Sequence, residues 1–335
     1  MLHKWLDERD ERRARRGDED KKVTDLALDA DLAFSAAQNV DSIAEFCAHA
    51  DHAVANSASF YGWDGDTSDV VWEDGWITFP SSLETDIVEN NTVRAKVTQG
   101  RSSDHALVVF HHWNAPSRKP QLAQFFAWQG ITVVEVAMPY HLERSRPGSS
   151  HADYMLSPNL GRTIQSMRQA VLDGRKIVGI LNDAGYKKVS VLGMSLGSWV
   201  AGLVASHEPM IGKAVLLLTA GSLADMVWTG RATRHIRASL EGKVELSELR
   251  KAWAPLSLES YSGQLARSDL ALQLVLAERD TVVLPQVSRQ LIETLNRSDA
   301  TPKVLNLDCG HYSLSLPPYI LRAGFAGSRL LHRQI

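Results

Sequence analysis

From residue 70 onward, short apolar runs alternate with stretches whose apolar positions recur every three or four residues. The runs at 106–110, 132–137, 189–192, 214–218, 270–276 and 303–307 are nearly continuous, as strands buried on both faces must be. Between them, residues 120–129, 160–184, 196–206 and 285–296 carry helical spacing, and a last helix opens near residue 317. This order predicts an α/β fold: parallel βαβ units with helices covering both faces of one sheet. Residues 76–79 and 92–98 instead read as alternating strands, which predicts an antiparallel lead-in to that sheet.

Two segments fall outside the alternation. Residues 222–263 separate two predicted strands and contain Trp228, Trp253 and Tyr261. A structureless loop of that length is uncommon inside a domain, so the segment is expected to be a helical cap. Ahead of the sheet, residues 1–22 form a mixed-charge run, an exposed helix or a frayed arm. Helical spacing returns between residues 25 and 55, through Leu26, Leu28, Leu32, Phe34, Val40, Ile43, Phe46 and Val54. The expected organisation is a helical extension over residues 1–70, then one α/β domain over 71–335 with its cap insert at about 222–263.

Composition narrows the function. The 36 Lys+Arg against 39 Asp+Glu leave a net charge of −3, too little positive field to gather nucleic acid. Two cysteines, Cys47 and Cys309, make no disulfide framework and no CxxC zinc motif. No metal or cofactor is expected. The first 22 residues lack the apolar stretch of a leader, and no run is long enough to span a bilayer, so a cytoplasmic protein is expected. Oligomeric state stays open, a homo-oligomer included.

The chemistry concentrates in Gly193-Met194-Ser195-Leu196-Gly197, which follows one predicted strand and opens a predicted helix. A strand–turn–helix with glycine on both sides of serine is the pattern of a nucleophile elbow. The glycines let the turn approach neighbouring backbone closely, and the helix start directs positive charge at the serine oxygen. The alternative is a helix-capping serine after a glycine-rich turn.

Here the chain resembles the α/β-hydrolase family, over roughly residues 70–335. The resemblance implies a mostly parallel sheet with a Ser-acid-His order along the chain. Asp280, in the loop after the strand at 270–276, is then the expected acid, with Glu278 as competitor. His311, in Asp308-Cys309-Gly310-His311-Tyr312 after the last strand, is the expected base. An imidazole can take the serine proton, and a carboxylate holds that imidazole in the working tautomer. The first oxyanion donor implied is the backbone N–H of Leu196. The second belongs to the loop His111-His112-Trp113-Asn114, where His112 replaces the family's usual glycine, so Trp113 and His112 both stay candidates.

Softer signals surround these. Tyr140, His141, Arg144 and Arg146 lie in a loop at a strand's carboxyl end, where they line the site or form plain surface. This segment is also similar to one in the eighteenth abhydrolase-domain branch. Leu223, Met226, Val227 and Trp228 open the cap and either line an acyl pocket or anchor the cap. Arg231, Arg234 and Arg237 share a helical spacing and face solvent or an anion.

The resemblance implies a serine esterase acting on a small-molecule ester through an acyl-enzyme. Thioester, lactone and amide cleavage, acyl transfer, and a non-catalytic ligand-binding relative are the alternatives. Peptide cleavage ranks lower because residues 1–70 are too few for a screening propeller.

Overall fold

In the computed structural model, which describes residues 2–21, 23–101 and 104–333, nine strands form one sheet. They are β1 (Val71–Glu73), β2 (Trp76–Pro80), β3 (Thr92–Thr98), β4 (His105–Phe110), β5 (Thr132–Val136), β6 (Lys188–Met194), β7 (Ile211–Leu217), β8 (Ala271–Ala277) and β9 (Lys303–Leu307). Their order across the sheet is β1-β2-β3-β5-β4-β6-β7-β8-β9. The first pairings, through β3 with β5, are antiparallel, and every pairing from β5 to β9 is parallel. The expected α/β architecture and its antiparallel lead-in are both present. Only the short β1 goes beyond the sequence reading.

The strand side chains sort by parity into two cores. Ala106, Val108 and Phe110 of β4 join one core, which contains Met167, Val171, Val178, Trp199 and Val200 from the helices Leu160–Asp183 and Leu196–His207. Leu107 and Val109 face the other, with Phe126 of the helix Pro120–Trp128 and Ala323, Leu330 and Leu331 of the helix Tyr319–His332. Every β4 and β5 residue is buried, which explains why those runs read as continuously apolar. Strand β4 lies between β5 and β6, so the strand order reverses there. A crevice opens at the carboxyl ends of strands at such a switch point.

The stretch 25–55 departs from its periodicity. Only Ile43–Ala55 is an extended helix, capped by Ser42, whose hydroxyl accepts the Glu45 N–H at 3.2 Å. Left-handed backbone at Asp29 (φ 35°) and Asn39 (φ 57°) interrupts helical propagation upstream. Leu26 and Leu28 still pack on the core, from extended chain instead of a helix.

Residues 222–263 are helical, through Leu223–Thr229, Arg234–Leu240 and Leu246–Ala252 with single turns between. Leu2–Glu19 is a helix too, and it is docked: Leu6, Asp10 and Ala14, spaced four apart, are buried along one face. Among the described residues, no helix is long and apolar enough to cross a membrane.

Candidate active site

Ser195 sits between the end of β6 and the helix Leu196–His207, at φ 53° and ψ −125°. A non-glycine residue seldom adopts this backbone, and the surroundings hold it there. The Ser195 N–H donates to the Leu217 carbonyl at 2.9 Å, and its own carbonyl accepts the Ser198 N–H at 2.7 Å. The flanking glycines answer close backbone contacts. A Cβ at Gly193 would collide with the Gly197 backbone, and one at Gly197 would collide with the carbonyls of Phe110 and His111. The turn is therefore pressed directly against the end of β4.

Ser195 Oγ lies 3.0 Å from His311 Nε2, and His311 Nδ1 lies 2.7 Å from Asp280 Oδ2. With the carboxylate accepting, Nδ1 carries the proton and Nε2 is left to accept from the serine hydroxyl. Asp280 is 3% exposed, and its Oδ1 accepts the N–H groups of Val282 (2.7 Å) and Val283 (2.8 Å), which fixes the carboxylate plane. Glu278, the competing acid, is exposed, two residues back at the end of β8. The structure thus brings Ser195, His311 and Asp280 into one hydrogen-bonded chain from three separate loops.

The β4 loop is organised by two histidines. His111 Nδ1 donates to the His112 carbonyl at 2.9 Å, and Nε2 accepts the Met138 N–H at 3.2 Å. His141 Nδ1 donates to the Pro139 carbonyl at 2.8 Å, and its Nε2 accepts the Asn114 N–H at 2.9 Å. Each ring uses one nitrogen as donor and the other as acceptor, so both are neutral. Burial pushes His111 down to about 4 and His141 well below the ordinary imidazole range. Burial, with His111 beside it, takes His112 down to about 3. The Asn114 side chain accepts the Ala152 N–H at 2.8 Å, and Trp113 Nε1 donates to the Ala152 carbonyl at 3.0 Å. Among the described residues, the backbone N–H groups of Trp113, His112 and Leu196 donate to no acceptor.

Other residues expected at the site have different surroundings. His141 is 3% exposed, with its ring turned to the β4 loop. Tyr140 is buried edge-on to Tyr154, their centroids 5.4 Å apart. Arg144 is fully buried, paired with Asp173 at 2.8 Å and donating to the carbonyls of Asn90 and Ala137, so it serves the core. Arg146 covers the Tyr154 ring at 4.5 Å. Leu223, Met226 and Val227 are buried, while Trp228 is half-buried under the Arg237 guanidinium at 5.4 Å. Arg231 pairs with Glu11 and Arg237 with Glu241, while Arg234 is exposed, so the three arginines do not converge on an anion.

A cavity of about 30 Å³, room for one water, touches His111, His112 and Met194 beside the elbow. A much wider polar hollow of about 560 Å³ lies between the cap and the helix Pro285–Arg297, bordered by Asp225, Arg250, Glu259 and Arg297. Ser195, His311 and Asp280 do not border it, so the hydrogen-bonded chain marks the site and size does not. Among the described residues, no three His, Cys, Asp or Glu side chains cluster as metal ligands would.

This sheet, its flanking helices and the elbow at the end of β6 define the α/β-hydrolase fold. The chain is similar to acetyl xylan esterase 1 from Thermoanaerobacterium sp., at 14% identity and TM-score 0.58, over 96% of this chain and 98% of that one. It is similar to a Pyrococcus furiosus esterase at 16% identity and TM-score 0.51, over 73% of this chain and 89% of that one. Acylaminoacyl peptidase from Pyrococcus horikoshii superposes at 11% identity and TM-score 0.59, over 77% of this chain, which spans only 42% of that longer protein. No family model and no curated protein matches the sequence.

Proposed function

We propose that the protein is a serine esterase that cleaves a small carboxylic ester through an acyl-enzyme on Ser195. The Ser195–His311–Asp280 chain, built on a strained elbow, is the observation that carries the reading. In this mechanism His311 Nε2 takes the serine proton as Oγ attacks the ester carbonyl. Asp280 stabilises the resulting imidazolium without taking its proton. The imidazolium then protonates the leaving alkoxide, and the acyl group stays on Oγ. Water, deprotonated by the same imidazole, attacks the acyl carbon and releases acid and free serine.

The developing oxyanion needs backbone donors already in place. Leu196, first in its helix, has an N–H with no intrahelical acceptor. Trp113 is the preferred second donor and His112 the other. The contact of Gly197 with the carbonyls of Phe110 and His111 supports this pairing, because it brings the β4 loop against the elbow. His141 takes part indirectly, holding the loop through Asn114. The esterases of similar fold support the choice of ester as substrate class.

Turnover of p-nitrophenyl acetate by the purified protein tests the reading. Ser195→Ala should lower kcat by about 10⁶-fold, to the small residual rate that the oxyanion donors and binding alone supply, with the circular dichroism spectrum unchanged. Equal turnover by the variant and the wild type would remove Ser195 from the mechanism. Running lactones, thioesters and esters of increasing acyl length alongside assigns the preferred acyl donor.

A further inference from the structure

The N-terminal helix Leu2–Glu19 reaches the loops that carry His311 and Asp280 and the cap, and the chain just past it reaches the β4 loop. Asp7 pairs with Arg279, the neighbour of Asp280, at 3.0 Å. Glu11 accepts from Arg231 of the cap at 2.7 Å. Just past the helix, the Lys21 ammonium stands 3.1 Å over the Trp113 ring.

Asp10 makes the most direct contact. Its side chain is 3% exposed, and Oδ1 accepts the backbone N–H groups of both Tyr312 and Ser313, the latter at 2.9 Å. These are the two residues that follow His311. On the other side, Gly310 lies so close that a Cβ there would come within 2.8 Å of the Asp10 carboxyl carbon. A buried carboxylate is costly unless hydrogen bonds satisfy it; here Oδ1 is satisfied by the histidine loop, while the buried Oδ2 has no hydrogen-bond partner among the described residues. Upstream, the Cys309 carbonyl accepts the Arg279 N–H at 3.0 Å; downstream, Asp10 clamps from outside a turn that also closes on itself, with the Gly310 N–H donating to Ser313 Oγ at 2.8 Å and the Leu314 N–H to the Gly310 carbonyl at 3.2 Å. Cys309 itself is a buried thiol, raised to about 12 by burial and by neighbouring carboxylates led by Asp10, and so it is no competing nucleophile.

We propose that Asp10 is a positioning residue for His311, and that the N-terminal helix is a working wall of the active site. This rests on reading Ser195, His311 and Asp280 as the catalytic triad. Asp10 touches no reacting atom. It sets the backbone from which the imidazole reaches Ser195.

The experiment compares full-length Asp10→Ala and Asp10→Asn with wild type on p-nitrophenyl acetate. Arg15→Ala, at an exposed position of the same helix, is the control. A misplacement of the order of 1 Å costs about 100-fold, so Asp10→Ala should lose about that factor in kcat with KM changed by less than about twofold. Asp10→Asn keeps a carbonyl oxygen that can accept both N–H groups, and it should restore most of kcat. Arg15→Ala should match wild type. Melting temperature and circular dichroism are read on each variant, and rates are normalised to the fraction titrated by a fluorophosphonate. Folded Asp10→Ala with wild-type kcat overturns the proposal, as does a loss in Asp10→Ala that Asp10→Asn shares in full. If Asp10→Ala does not fold, folded Asp10→Leu, which fills the same space without an acceptor, takes its place. Wild-type kcat in Asp10→Leu, or a loss that Asp10→Asn shares in full, overturns the proposal, and a loss that Asp10→Asn does not share supports it. A wild type that neither turns over ester nor is titrated at Ser195 overturns the triad reading itself, an outcome separate from any behaviour of Asp10.

Discussion

Asp280 has its two oxygens assigned to different tasks, which makes it the informative residue for mutation. Oδ1 accepts from Val282 and Val283, and Oδ2 faces His311 Nδ1. In Asp280→Asn the carbonyl oxygen can keep both backbone N–H groups, so the loop should survive. The amide nitrogen then faces Nδ1 and donates to it, which moves the imidazole proton to Nε2. His311 can no longer accept from Ser195. A fall in kcat of about 10⁴-fold at unchanged melting temperature is expected. Glu278→Gln, altering an exposed side chain, should be indistinguishable from wild type. Loss in Glu278→Gln with normal rates in Asp280→Asn would exchange the two roles. Both carboxylate candidates could be placed from the sequence because they sit in one short loop. Which side chain turns inward was not legible there, and the structure buries Asp280 and leaves Glu278 exposed.

The β4 loop shows where local pattern stops being informative. His111-His112-Trp113-Asn114 could be placed after a strand from its apolar run alone. The role of His141 could not, because its partner Asn114 is 27 residues away and the hydrogen bond runs from backbone to ring. As a substrate contact, His141 would need exposure that it lacks. Both His111 and His141 act as acceptors only while neutral, and this gives the loop a pH dependence of definite sign. His111 falls from the ordinary 6.5 to about 4 in the folded protein, chiefly by burial, and His141 is shifted the same way. Between those values the unfolded chain binds more protons than the folded one, so stability rises with pH. The contribution is complete above about pH 6.5 and is lost as pH falls through about 4. Buried His105 and His207, each near 4, add to it with the same sign. Thermal melts should show Tm falling steadily from pH 6.5 to 4.5. In His141→Gln, which keeps an acceptor oxygen but cannot titrate, the slope should be shallower. A Tm flat across this window would mean that these rings are protonated at no cost.

At the scale of the molecule, the parts legible in the sequence are those set by short-range rules: strands by burial on both faces, helices by spacing, the elbow by its glycines. The placement of the N-terminal helix was not legible. Its charged run reads as solvated surface, yet Asp10 meets the loop that carries His311 across 302 residues of chain. The cap lies between these cases, recognisable as a helical insert but silent about what it faces. Its attachment is now clear: the Arg231 N–H donates to the Thr281 carbonyl at 2.8 Å, stitching the cap to the loop that carries Asp280. Leu223 and Val227 are buried to 1% or less, which suits an anchor. Trp228 is half-buried and topped by Arg237, so it keeps a face that an acyl chain could meet. If Trp228 borders the acyl pocket, Trp228→Ala should shift preference toward longer acyl chains. Each methylene gained is worth about 1–3 kcal/mol, so the shift should be graded along a series of p-nitrophenyl esters from acetate to octanoate. The melting temperature should hold, since the buried anchors beside Trp228 remain. An unchanged chain-length profile with a lowered melting temperature would assign Trp228 to anchoring the cap and leave the acyl pocket to other walls of the site.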